Sequence, residues 1–282
     1  MKINIARSAG FCFGVKRALA IALQAAGSGK KIYMLGDIVH NEVVVKRIRN
    51  SGIKEIGKLS PSPKKDKVLL IRAHGAPKKT FLEAARLGYM IIDATCPMVK
   101  EIHKIAKINE NHGYRIVVIG DREHDEVRGI IGDLKKNTLV IEEAGGITAR
   151  STAGIKKACI VVQSTQNKDK VMQILARLEK YIPDIKFCNT ICKPTSTKQE
   201  EIKIMPLEND AMLVIGSKKS ANTKRLYEIS KSLNKRSYWV NSTAEIKKTW
   251  FKGAESVGVT AGASTPEESI RQIIERIKKL TS

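Results

Sequence analysis

The 282-residue chain is short of several things, and each shortage removes a class of protein. No apolar run approaches the roughly 18 residues of a membrane span, so no transmembrane helix is expected. The opening MKINIARSAG lacks the apolar stretch of a secretory leader, and a cytoplasmic location is expected from it. Aromatic residues amount to 5%, and no nucleic-acid-binding motif occurs. Cysteine is scarce too: five residues, an odd number, with no CxxC pair of the kind a zinc ribbon uses. A disulfide framework is not expected from so few, in a reducing compartment. Acidic residues are outnumbered, 28 against 51 Lys and Arg, for a formal net charge of +23. Those basic residues are scattered rather than clustered. That argues against nucleic acid and leaves a solvated lysine-rich surface, an anionic substrate or an acidic protein partner. What remains, 42% hydrophobic and 28% charged, is a globular composition long enough to bury a core without covalent staples.

An internal repeat organises the chain. Three apolar segments end alike: KIYMLGD at 31–37, YRIVVIGD at 114–121 and AMLVIGS at 211–217. Their glycines are Gly36, Gly120 and Gly216. A cysteine stands 24 positions before each: Cys12, Cys96 and Cys192. Four positions after the glycines come His40, His124 and Ser220; six after come Glu42, Glu126 and Asn222. Each unit then supplies a further strand ending in a small or polar motif, VLLIRAHG at His74, CIVVQST at Thr165 and VGVTAGAS at Ser264. The strands are short, continuous and rich in Val and Ile, as buried parallel strands are. Between them run helical spacings: Val15, Leu19 and Leu23 after Cys12, then Val99, Ile102, Ile105 and Ala106 after Cys96, where Pro97 suits a first helical turn. The tail STPEESIRQIIERIKKL has a good helix start and an apolar face at Ile270, Ile273, Ile274 and Ile277. The expectation is an α/β fold of three pseudo-equivalent lobes, 1–97, 98–193 and 194–282, the first including the Cys12 segment.

Ligands of open α/β sheets bind beyond the carboxyl ends of strands, where every repeated polar residue here lies. Three lobes packed with those ends inward bring three cysteines and a polar ring to one centre. Each cysteine precedes a helix, a place that favours anions. Three thiolates make a soft metal site, short of the four that a closed structural zinc takes. An iron–sulfur cluster is usually held by four cysteines, and one held by three keeps an iron open to substrate. A catalytic zinc with three cysteine ligands and Glu126 as base is the competing reading, and a nucleic-acid binder rests on charge alone. His40, His74, Ser220, Asn222 and Ser264 are donors suited to phosphate oxygens. Glu126 is the carboxylate placed to move a proton, two residues from His124. Cys159 and Cys188, inside short strands, read as core, and His103 and His112 as structural. Phe11 and Phe13 flank Cys12 either as core or as a shield for its sulfur.

The segments AGFCFGVKRAL, GDIVHNEVV, RAHGAP, DATCPMV, GDREHDEVRG, NTIC, VIGSKKSANTKRL and TAGAS, in this order along nearly the whole chain, resemble the 4-hydroxy-3-methylbut-2-enyl diphosphate reductase family. The resemblance implies a trefoil of three lobes around a central [4Fe-4S] cluster held by Cys12, Cys96 and Cys192, its fourth iron taking the substrate hydroxyl. It implies His40 and His74, with Ser220, Asn222 and Ser264, on the substrate's diphosphate. His124 is implied as a substrate-binding residue, Thr165 lies near the hydroxyl, and Glu126 delivers a proton. The implied reaction is the last step of the methylerythritol phosphate route to isoprenoids. Two electrons from ferredoxin or flavodoxin remove the hydroxyl of an allylic diphosphate as water, giving isopentenyl and dimethylallyl diphosphate. Four positions depart from the family's usual pattern: Ala221 for a second serine, Asp125 for a proline, Thr197 for an asparagine, and Arg72 where a small residue is common. None of the four is an implied cluster ligand or the implied acid; a related allylic substrate is the alternative they raise.

Overall fold

A computed structural model describes residues 1–61, 66–135 and 138–281. The Val- and Ile-rich runs form strands and the stretches between them form helices. In the first third these are β1 (Lys2–Ile5), α1 (Phe13–Ala26), β2 (Lys31–Leu35), α2 (Glu42–Asn50), β3 (Lys54–Ile56), β4 (Lys67–Ile71), α3 (Lys78–Arg86) and β5 (Met90–Asp93). Next come α4 (Pro97–Asn111), β6 (Arg115–Ile119), α5 (Asp125–Gly132), β7 (Leu139–Ile141), β8 (Lys157–Val162), α6 (Lys168–Leu178) and β9 (Asp184–Phe187). The last third holds α7 (Lys193–Glu208), β10 (Ala211–Ile215), α8 (Ala221–Leu233), β11 (Ser237–Val240), β12 (Ser256–Ala261) and α9 (Glu267–Thr281). Pro97 opens α4, as its fixed φ suits. Ile270, Ile273 and Ile277 of α9 are buried, the face its spacing marks. Among the described residues no helix is long and apolar enough to cross a membrane.

Three four-stranded parallel sheets result, and they share one plan. Their strand orders are β3-β2-β4-β5, β7-β6-β8-β9 and, read the same way, β11-β10-β12-β1. In each, the chain leaves one central strand for the edge beside it, then returns to the strand's other side. That reversal makes a switch point between β2 and β4, between β6 and β8, and between β10 and β12. Every residue of β10 is buried, which explains its unbroken apolar run.

The expected lobe boundaries need one amendment. Residues 2–5 pair with Ser256–Val259 of β12 and so lie in the C-terminal sheet, not the first one. The reason is topological: beyond β4 the edge is taken by β5, whereas beyond β12 the equivalent edge is filled by β1. Each sheet thereby gains the strand that leads into its cysteine. By compactness the chain divides into two units, one of Met1–Lys16, Val39–Arg47 and Lys193–Ser282, the other of Arg17–Ile38 and Ile48–Cys192. The sheet containing β1 and β10 to β12 belongs to the former; the other two belong to the latter.

Candidate active site

The loops at the three switch points carry the repeated polar residues. His40 follows β2 and His74 follows β4; His124 follows β6 and Thr165 follows β8; Ser220 follows β10 and Ser264 follows β12. Cys12, Cys96 and Cys192 are each the residue immediately before a helix, α1, α4 and α7. Their backbone bonds repeat as well. The Cys12 N–H donates to the Ala263 carbonyl at 3.1 Å, that of Cys96 to Ala73 at 3.0 Å, and that of Cys192 to Ser164 at 3.0 Å. Ala263, Ala73 and Ser164 directly precede Ser264, His74 and Thr165. Each cysteine is therefore fixed against the polar loop of its own sheet's third strand. All three are partly exposed, whereas Cys159 is buried. Soft thiols at three equivalent, partly accessible positions fit an iron–sulfur cluster.

In the unit of Arg17–Ile38 and Ile48–Cys192, the centre of the arrangement is Glu126, 2% exposed. Its Oε1 accepts the Ser164 N–H at 2.5 Å and its Oε2 the Ser164 hydroxyl at 2.7 Å. Burial pushes this carboxyl above its ordinary range; the two Ser164 bonds and the charge of His103 pull the other way and lose. Ser164 thus holds the proposed acid by its N–H and hydroxyl and Cys192 by its carbonyl. His124 caps α5, its Nδ1 accepting the Glu126 N–H at 3.2 Å, which assigns its proton to Nε2. The His74 and His124 rings meet edge to face at 5.4 Å between centroids. Thr165 accepts from the Gln163 amide at 3.1 Å. His103, read as structural, pairs with Asp133 at 3.1 Å. Cys159 lies in the core and the partly buried Cys188 packs against it, their sulfurs 3.8 Å apart, and burial raises the Cys159 thiol to about 12.

In the other unit, Ser220 caps α8 by accepting the Thr223 N–H at 3.3 Å. Its hydroxyl proton remains available to an anion. Ser264 donates to the His40 carbonyl at 3.2 Å. Asn222 is 4% exposed, and among the described residues neither its amide nitrogen nor its amide oxygen has a hydrogen-bond partner. A buried amide so left is a vacancy for a polar ligand, since unmet buried polar groups cost about 1–3 kcal/mol. Phe13 is 67% exposed, so it neither packs in the core nor covers the Cys12 sulfur.

Two residues of this arrangement, Ser164 and Lys198, carried no sequence signal of their own, and a third, Glu42, carried only its repeat spacing. Ser164 sits in QST, where Thr165 drew the attention. Glu42, at the repeat position of Glu126, accepts from Ser217 at 2.8 Å and Asn241 at 3.2 Å. Burial pushes its carboxyl up, but hydrogen bonds from its own N–H, Ser217 and Asn241 outweigh that and hold it below the ordinary value. Lys198 is buried, donating to the carbonyls of Ser8, Gly10 and Ala261, the last two at 3.1 Å. It ties the turn before Cys12 to the end of β12.

Comparison with known proteins places these positions in context. A family model described as LytB protein matches residues 3–278. A Geobacter metallireducens protein named 4-hydroxy-3-methylbut-2-enyl diphosphate reductase is 39% identical over 285 aligned positions, covering 100% of this chain and 99% of that one. The Aquifex aeolicus protein of the same name is 37% identical, with 99% and 96% covered. Among solved structures, the E-1-hydroxy-2-methyl-but-2-enyl-4-diphosphate reductase of Plasmodium falciparum superposes with a TM-score of 0.90 at 26% identity, over 97% of this chain and 87% of that one. A second, an (E)-4-hydroxy-3-methyl-but-2-enyl diphosphate reductase described as the terminal enzyme of the non-mevalonate pathway, gives 0.70 at 35% identity, over 99% and 100%.

Proposed function

The chain belongs to the LytB protein family, and from that membership we propose that it reduces (E)-4-hydroxy-3-methylbut-2-enyl diphosphate to isopentenyl and dimethylallyl diphosphate. The observation that carries the proposal is the threefold cysteine position, one residue before a helix, its N–H bonded beside His74, Thr165 or Ser264. Cys12, Cys96 and Cys192 would hold a [4Fe-4S] cluster, which when bound would pass on two electrons, one at a time, from an external donor and offer an iron to the substrate hydroxyl. The reaction consumes two electrons and two protons; the C–O bond breaks, one proton leaves with the oxygen as water, and a new C–H bond forms at either end of the allyl group.

The chain's own groups handle charge and protons. Burial lifts the Glu126 carboxyl and so favours its protonated form, and the Ser164 hydroxyl 2.7 Å from Oε2 gives that proton a relay. His124 carries its proton on Nε2, with Nδ1 engaged at the helix cap. Asn222 supplies an amide that a diphosphate oxygen satisfies, with Ser220, Ser264, His40 and His74 as further donors. Thr165 lies on the Ser164 loop and serves the hydroxyl end of the substrate. An acidic ferredoxin or flavodoxin is the electron donor, favoured by the charge of +23.

Anaerobic reconstitution followed by turnover with the hydroxylated diphosphate tests this reading. The expected result is a brown, iron- and sulfide-containing protein that forms both products, with Cys12→Ser losing cluster and turnover together. A colourless protein that binds zinc, holds no acid-labile sulfide and reduces nothing overturns it.

A further inference from the structure

The residue just before Ala73, Ser164 and Ala263 occupies an equivalent place in the three sheets: Arg72, Gln163 and Gly262. It lies over the glycine that ends the neighbouring central strand. A Cβ on Gly120 would stand 2.8 Å from the Gln163 Cβ, and one on Gly36 would stand 2.8 Å from the Arg72 guanidinium. Gln163 spends its amide locally, accepting the Asp121 N–H at 2.9 Å and donating to Thr165. Arg72 is longer and reaches out of its own lobe. Its Nη1 meets the Asp125 Oδ2 at 2.7 Å, with both side chains about four-fifths buried, 21% and 20% exposed. Asp125 is the first residue of α5, between His124 and Glu126. Arg72 opens the turn that presents His74, closed by a bond from the Gly75 N–H to the Arg72 carbonyl at 3.1 Å.

We propose that Arg72 and Asp125 form a charged strut between the first and second lobes that fixes the His74 ring against the His124 ring, making both of them positioning residues for the polar face that binds the diphosphate. The strut joins the two backbone segments that carry these rings, within two residues of His74 and one of His124. It has no equivalent in the other two sheets, where the same position is a glutamine with local partners or a glycine. It also matches the added carboxylate of Asp125 with a cation, so that no uncompensated negative charge stands beside Glu126 where an anionic substrate must approach. The role of the strut in substrate binding rests on the reductase reading above; its effect on the rings does not.

A double-mutant cycle with Arg72→Ala, Asp125→Asn and the pair tests it, with Arg72→Lys as the variant that keeps the charge. Each single change is expected to raise KM for the allylic diphosphate about tenfold with kcat within about twofold, and the pair to be no worse than either alone, as coupled partners behave. The ring signals of His74 and His124 in the nitrogen-15-labelled full chain are expected to shift alike in both single variants and to return toward wild type in Arg72→Lys. Additive KM effects, or unmoved histidine signals in well-folded single variants, overturn the strut. Absence of turnover in the wild type overturns the reductase reading instead, and the histidine signals still decide the strut.

Discussion

Glu126 in the second lobe and Asn222 in the third stand six residues after their strand glycines, each the second residue of its helix, 2% and 4% exposed. Geometry and burial are the same; the surroundings are opposite. Glu126 is saturated, both carboxyl oxygens being met by Ser164. The Asn222 amide is met by no hydrogen-bond partner among the described residues. A repeated backbone position thus carries a raised, fully bonded carboxyl in one lobe and an unpartnered amide in another, which the proposed function reads as a proton store and a ligand receptor. One difference between them is the residue at the Ser164 position, which in the third sheet is Ala263 and has no hydroxyl.

The sharpest way to break this contrast is Glu126→Gln. It preserves the shape and the bond from the Ser164 N–H, turns the other into a donation from its amide NH2 to the Ser164 hydroxyl oxygen, and removes the acidic proton; turnover is expected to fall by about 10²- to 10⁴-fold. Stability moves the other way. Because burial raises the carboxyl, the folded chain keeps its proton at pH values where the unfolded chain, with its ordinary value of 4.5, has released it. Stability of the wild type therefore declines as pH rises through that window. Thermal melts are expected to show Glu126→Gln more stable at neutral pH, with the gap closing below about pH 4.5; a variant less stable at every pH contradicts the assignment.

The complementary change is Asn222→Ala. With no internal hydrogen bond to lose, it is expected to leave the melting temperature within a degree or two. KM for the diphosphate should meanwhile rise about tenfold to a hundredfold. A loss of stability without a change in KM reverses the reading of Asn222 as a receptor. The smallest effect is expected of Ser164→Ala, which keeps the N–H and removes one bond that lowers the Glu126 carboxyl. The alkaline limb of the kcat profile moves to higher pH, and the rate at neutral pH falls about fivefold, in keeping with one lost hydrogen bond of about 1 kcal/mol.

Much of this contrast was legible in the chain before any coordinates. The offset from cysteine to glycine exposes the repeat, because a tight strand end tolerates little else at Gly36 or Gly120. The alternation of strand and helix gives the α/β class, and the polar residues fall at strand ends as that class requires. The strand pairing of KINI was hidden: four alternating residues name no partner, and the one they take lies more than 250 positions away. Arg72 and Asp125 each looked like an isolated departure, since nothing in a linear chain says that residues 53 apart share a charge. Ser164 was masked by its neighbour, for only the turn geometry decides which of two adjacent hydroxyls faces Glu126. Glu42 marks the limit of repeat reasoning. The same spacing that yields a raised carboxyl at 126 yields a lowered one at 42, because the hydrogen bonds around it outweigh burial.

The pairing of β1 with β12 sets an order on the making of the protein. Cys12 leaves the ribosome well before Ala263, which lies 251 positions later and holds its N–H. A nascent chain stopped before β12 holds Cys96 and Cys192 with the loops that seat them, while Cys12 waits with nothing to sit against. Of the three repeated thiols the first synthesised is the last to be seated, so all three are seated only once β12 has been made.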